Sequence, residues 1–108
     1  MPKKSNERRE YERYKILADL IIHIKKKKYN VIGYDFSQGG IGFVTPEKLP
    51  LNEKVAVEAK AERFYREGVL KSKGQVSQYP GMYKYGLEFF VPLTRTEASM
   101  FVQRLGKK

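Results

Sequence analysis

Residues 34–43 read Tyr34-Asp35-Phe36-Ser37-Gln38-Gly39-Gly40-Ile41-Gly42-Phe43 and set an acid, a hydroxyl and a glycine pair between two stretches of β-strand character. A tight hairpin needs one or two turn-forming residues. Asp35, Ser37, Gly39 and Gly40 together exceed that need. Asp and Ser make turns by bonding their own backbone. They also bond ligands, and adjacent glycines let backbone N–H groups approach a bulky anion.

Outward from this stretch the chain alternates. Tyr14, Ile16, Ala18, Leu20, Ile22 and Ile24 are apolar at spacing two, with Lys15, Asp19, His23 and Lys25 between them. That period predicts a strand with one buried face. A second strand is expected over 30–36 and a third over 40–45, followed by a loop marked by Pro46 and Pro50. Val55, Val57, Ala59 and Ala61 alternate with Lys54, Glu58, Lys60 and Glu62 in a fourth. A fifth is expected over 67–78, with Gly68 and Gly74 as bulges or bends. Tyr83, Tyr85, Leu87, Phe89 and Val91 line one face of a sixth. Thr94 with Glu97 forms a capping box, and Ala98, Phe101, Val102 and Leu105 give an apolar stripe at helical spacing that Gly106 closes. The fold class is therefore mainly β: a small six-stranded antiparallel barrel whose C-terminal α-helix covers an opening.

Residues 1–13 form the expected first unit, a flexible basic arm rich in Glu and Arg with Tyr11 as its one apolar residue after Met1 and Pro2. Residues 14–108 form the second, the barrel domain with its helix. At 108 residues this is one domain, large enough to hold a core without staples. The absence of Cys removes disulfides and thiolate metal sites and fits a reducing compartment. The charged N-terminus does not read as a signal peptide. The longest apolar stretch, 16–24, is broken by Asp19 and His23 and is far short of the roughly 20 residues that span a bilayer. The expected location is the cytoplasm, with no membrane span.

The formal charge is +10, from 22 Lys and Arg against 12 Asp and Glu, and it gathers in 3–15 and in the four lysines 25–28. Such a field draws anions: nucleic acid, nucleotides, acidic lipids or acidic proteins. Catalysis is poorly supplied. His23 is the single histidine, Ser37 has no evident base, and most carboxylates neighbour Lys or Arg and stay ionised. No metal-ligand set appears, and the glycines lack the Lys-Ser/Thr and following helix of a phosphate loop. The chain reads as a binding protein rather than an enzyme, with no cofactor.

Arg9 and Arg13 stand four apart, with Arg8 directly before them. In a helical or turn-like arm that spacing shares a face. Two guanidinium forks suit phosphates or a guanine edge. Asp35 supplies the opposite chemistry, accepting from the N1–H and amino group of guanine, while Ser37 donates or accepts. A carboxylate beside arginines repels DNA phosphates but suits a guanine nucleotide. A small basic barrel binding single-stranded nucleic acid is the alternative, favoured by the net charge and the tyrosines.

With Arg9-x-x-x-Arg13 ahead of the strands and Asp35-x-Ser37-x-x-Gly40 between two of them, the sequence resembles the PilZ family over residues 7–105. The late Tyr85-Gly86-Leu87-Glu88-Phe89-Phe90-Val91-Pro92-Leu93 segment followed by a short amphipathic helix is part of the resemblance. It implies a six-stranded barrel that receives the bacterial second messenger cyclic di-GMP. Arg9 and Arg13 would meet phosphates and guanine, Asp35 and Ser37 would bond a guanine, and Gly40, with Gly39 beside it, would allow close approach. Arg8 adds a third guanidinium, which suits a stacked pair of ligands. Some family members stack an aromatic on the ligand from a later strand; here that region offers Tyr79. Nothing in the 108 residues reads as an effector domain, so the expected output is an ordered arm and an altered surface, seen by a motor, pilus, secretion or transcription partner.

Overall fold

The computed structural model describes residues 11–105. Six strands form a closed barrel: β1 Tyr14–Ile24, β2 Lys27–Ser37, β3 Gly40–Thr45, β4 Lys54–Ala59, β5 Phe64–Gly74 and β6 Tyr83–Phe89, with helix α1 Arg95–Leu105 last. Around the barrel the order is β1-β2-β3-β6-β5-β4, and β4 returns to β1. Every pairing is antiparallel. Closure gives each strand two neighbours and so removes the edge strands that an open sheet of this size would have to protect.

The period-two strands bury their apolar faces as expected, with informative departures. Ile16, Leu20, Ile22 and Ile24 are buried in β1, but Tyr14 is 39% exposed at the strand's start. β2 begins at Lys27 rather than at Asn30, because the β1–β2 hairpin closes in two residues, with Ile24 opposite Lys27. β4 stops at Ala59; Lys60–Glu62 curl into a 3-10 turn that ends on Arg63 in the left-handed region, φ 56°. The turn starts β5 at Phe64, and the strand ends at Gly74, both earlier than expected. β6 ends at Phe89, and Val91 is exposed. Its partner runs out there: Gly40, opposite Glu88, opens β3, and the Phe89 N–H donates to the Gly39 carbonyl at 2.9 Å.

Gly68 and Gly74 are not the bulges of β5. That register shift falls between Leu70 and Ser72. Gly68 instead faces the Glu88 carbonyl so closely that a Cβ there would collide with it, while a Cβ at Gly74 would meet open space. The core has an aromatic centre: Phe36 lies 6.0 Å from Phe64 and 6.4 Å from Phe89, ring to ring, and Phe64 meets Phe101 of α1 at 4.6 Å. The helix thus closes one end of the barrel, burying Ala98 and Leu105. Toward the other end Phe43 stacks on Tyr85 at 5.7 Å, and the buried Tyr85 hydroxyl accepts from the Leu49 N–H at 2.7 Å. None of the described helices is long and apolar enough to cross a membrane.

The capping box forms in full. Glu97 N–H donates to Thr94 Oγ1 at 3.0 Å, and Thr94 N–H donates to Glu97 Oε1 at 2.9 Å. Arg66 of β5 donates to the same carboxylate at 3.1 Å, fastening the helix start to the barrel. The Thr94 N–H, and after it the Arg66 charge and the Thr94 hydroxyl, hold the Glu97 carboxyl below its ordinary value, against partial desolvation. A depressed folded value stabilises above the ordinary 4.5, and that contribution disappears as pH falls through the folded value. Glu97→Gln should therefore lower the thermal midpoint near neutrality, and the gap to wild type should close as the pH drops below 4.5. Thr94→Ala should cost about 1 kcal/mol, visible as a midpoint lower by roughly 4–8 °C. Gly40→Ala drives a Cβ into the Leu87 carbonyl and should destabilise the barrel by about 1–3 kcal/mol in denaturant titration. Gly74→Ala should be close to neutral in the same measurement.

Candidate functional site

The site is built on a change of register. On its β3 side β2 pairs Gly33 with Phe43 and Asp35 with Gly42, so Tyr34 is one residue in excess. On its β1 side Lys15 pairs with Asp35 and Ala18 with Gly33, so two residues of β1 oppose Tyr34. Val31 and Gly33 are buried before the shift and Phe36 after it, leaving Tyr34 and Asp35 adjacent and only partly covered. A bulge re-aims side chains in this way.

Asp35 receives two cations. Arg13 Nη2 lies 3.1 Å from Oδ1, and Lys84 Nζ of β6 lies 3.5 Å from Oδ2. Arg13 Nη1 donates to Ser37 Oγ at 3.3 Å, so one guanidinium spans Asp35 and Ser37. Ser37 also accepts from the Gly39 N–H at 3.2 Å and is thus a turn-maker as well as a site residue. Neither Gly39 nor Gly40 takes a left-handed φ. Their small size serves approach instead. A Cβ on Gly39 would come within 2.9 Å of the Tyr11 ring, and one on Gly40 would strike the Leu87 carbonyl. Gly40 is buried and paired opposite Glu88, so its lack of a side chain is used by β6.

Of the expected site residues, Arg13, Asp35, Ser37, Gly39 and Gly40 come together at one rim. Arg8 and Arg9 lie outside the described residues, as does most of the 1–13 arm. Its last residues are held against the rim. Tyr11 covers Gly39, and the Tyr14 hydroxyl donates to Glu12 at 2.6 Å, which raises the phenol's pKa. A cleft of about 570 Å³ separates this segment from α1, lined by Glu12, Tyr14, Gln38, Ala98 and Val102 among others. The turn is tied to the helix lead-in through the Leu93 N–H to the Gln38 carbonyl at 2.8 Å and Gln38 Nε2 to the Leu93 carbonyl at 3.1 Å.

Tyr34, Lys84, Gly42 and Gly86 complete the site and escaped the sequence reading. Gly42 and Gly86 face each other across β3 and β6, so the row from Asp35 to Ser72 carries no side chain between its ends. A Cβ at Gly42 would collide with Asp35 Oδ1, and one at Gly86 would lie 2.5 Å from Ser72 Oγ. The Tyr34 ring has Lys15 Nζ 4.4 Å and Lys84 Nζ 5.4 Å from its centroid and meets Tyr79 edge-on at 6.2 Å. Its hydroxyl accepts from Lys15 at 3.3 Å and donates to Gln78 at 2.8 Å. Position 34, directly before the acid, was a possible signal for Tyr34. Lys84 and Gly86 had none without the β3–β6 pairing.

The result is a strip of two glycines, Gly42 and Gly86, against which the Asp35, Lys84 and Ser72 side chains lie, with the Tyr34 ring, Ser37, Arg13 and Lys15 beside it. That excess of positive charge suits an anion, while the carboxylate and the ring suit a base. Among the described residues no group of three or more His, Cys, Asp or Glu could hold a metal ion. His23 sits elsewhere, 2.9 Å from Glu58.

Comparison with solved structures places the same fold in Bacillus subtilis inhibitor of motility (MotI/DgrA), at TM-score 0.66 and 18% identity. The PilZ domain of Escherichia coli YcgR with c-di-GMP superposes at TM-score 0.64 and 19% identity, and K. pneumonia MrkH in complex with c-di-GMP at 0.63 and 15%. These cover 89%, 91% and 89% of this chain, which spans 48%, 91% and 50% of theirs, about half of the first and third. No curated protein matches the sequence. The family model of the PilZ domain matches residues 7–106, so the chain belongs to the PilZ domain family.

Proposed function

We propose that the chain is a receptor for cyclic di-GMP that binds without turnover and signals through its surface. The observation that carries this reading is the Arg13 guanidinium bridging Asp35 and Ser37 beside a glycine strip. That contact joins Arg13, the second arginine of the first motif, to Asp35 and Ser37 of the other. The c-di-GMP present in the YcgR and MrkH structures supports the choice of ligand.

The contact suggests an exchange of partners on binding. Arg13 donates to Asp35 and Ser37, the same acceptors that would take guanine N1–H and the exocyclic amine. An incoming guanine replaces it, and the freed guanidinium turns to phosphate, alongside Arg8 and Arg9. Tyr11 on Gly39 and Glu12 at the helix cleft flank Arg13 and move with it. The cleft and the neighbouring helix face then present a changed surface to a protein partner of the motor, pilus, secretion or transcription class. An inhibitor of motility among the structural neighbours makes the motor the first to test.

Titration calorimetry with cyclic di-GMP, cyclic di-AMP and single-stranded DNA tests the ligand. Heat from the guanine compound alone is expected, and intact ligand should be recovered after long incubation. Equal heat from DNA would favour the nucleic-acid reading instead.

Arg9→Ala and Arg13→Ala should each weaken binding by roughly tenfold to over a hundredfold, the loss of a contact worth about 1–3 kcal/mol. Arg13→Lys should not restore it, because an ammonium cannot span two acceptors as the fork does. Unchanged thermal midpoints would accompany these losses. Asp35→Ala should reduce discrimination between the guanine and adenine compounds, measured as the ratio of their Kd values. For a stacked pair the stoichiometry is two ligands per chain, and Arg8→Leu should lower it or weaken the second step; a wild-type ratio near one excludes the pair.

A further inference from the structure

The β1–β2 hairpin outruns the rest of the barrel. Lys27–Val31 pair with β1, but the pairing of β2 with β3 begins only at Ile32. On the other side β1 pairs with β4 over Ile21–His23 and no further toward the tip. The tip is therefore a two-stranded finger, and its residues are Lys25, Lys26, Lys27 and Lys28, all exposed. Lys25 sits in the left-handed region at φ 56°, where Gly or Asn fits with less strain. A lysine holds that place nonetheless.

None of the four has a carboxylate within 4.0 Å among the described residues. Cation types are also segregated. No arginine occurs between Arg13 and Arg63, and the described arginines lie near the rim, the 3-10 turn or α1. Arginine forks recognise fixed carboxylate or phosphate geometry, whereas lysine offers a mobile point charge. A finger with lysine only, and no arginine or aromatic ring at its tip, is matched to many mobile anions rather than one ordered group. Polybasic clusters of this size are the feature that anionic bilayers attract.

We propose that the Lys25–Lys28 finger docks the protein peripherally on an anionic lipid bilayer. β2 carries the finger at its start and Ser37 at its end, roughly 30 Å apart at strand rise. A bilayer at the finger leaves the Arg13–Asp35 rim and the α1 end facing solution. The inference does not depend on the identity of the rim's ligand.

Sedimentation of the full chain with phosphatidylcholine vesicles, with and without phosphatidylglycerol, tests this. Binding is expected only to the anionic vesicles and should fade with added salt. Replacing Lys25, Lys26, Lys27 and Lys28 by Gln should weaken it about tenfold or more. A matched variant with Lys60, Arg63, Arg95 and Arg104 changed to Gln loses the same charge elsewhere and should bind nearly as wild type. Single Lys26→Gln and Lys28→Gln variants should each show part of the loss, which covers any folding defect in the multiple variant. Failure of the wild type to bind anionic vesicles, equal loss in the matched variant, or tighter binding to duplex DNA than to the vesicles would overturn the proposal.

Discussion

The register shift at Tyr34 and Asp35 is the constraint on which the molecule turns. An unbroken alternation from Val31 and Gly33 would aim Asp35 into the core and Phe36 out of it. An unpaired carboxylate there would face a desolvation cost that no nearby group offsets. The extra residue reverses the alternation. Phe36 joins Phe64 and Phe89 in the aromatic centre, and Asp35 stands beside Tyr34 within reach of Arg13 and Lys84. One local irregularity serves the core and the site together.

The turn that follows is fixed from three directions. Gly40 packs on the β6 backbone, Gln38 exchanges hydrogen bonds with Leu93 ahead of α1, and Gly39 lies under the Tyr11 ring. A signature that looks local in sequence is thus the junction of the N-terminal segment, the barrel and the helix. The Arg66–Glu97 pair adds a further fastening of the helix to β5. Arg13 reaches this junction through Asp35 and Ser37, the second of which also holds the Gly39 N–H.

Charge is distributed by type as well as by sign. The rim surrounds Asp35 with Arg13, Lys15 and Lys84, an arrangement suited to a ligand that is both anion and base. Among the described residues the hairpin tip carries lysine without a paired acid, which suits diffuse attraction. Part of the net charge of +10 is thus gathered on two surfaces of different chemistry.

The six strands, the capped helix and the meeting of Arg13 with Asp35 and Ser37 were legible in the sequence. Period-two burial and the Thr94–Glu97 spacing are local signals that local physics places, whereas the two short motifs, 22–24 residues apart, were brought together by their complementary chemistry and the family resemblance. Strand ends were less legible, because β6 stops where β3 begins and β5 starts where a 3-10 turn releases it. Tyr34, Lys84, Gly42 and Gly86 were invisible as a group. Their association depends on which strands are neighbours and in what register, and barrel closure decides both. Gly40 shows the division most clearly. Its position in the motif marked it as a site residue, but only the packed barrel reveals that the space beside it belongs to the Leu87 carbonyl.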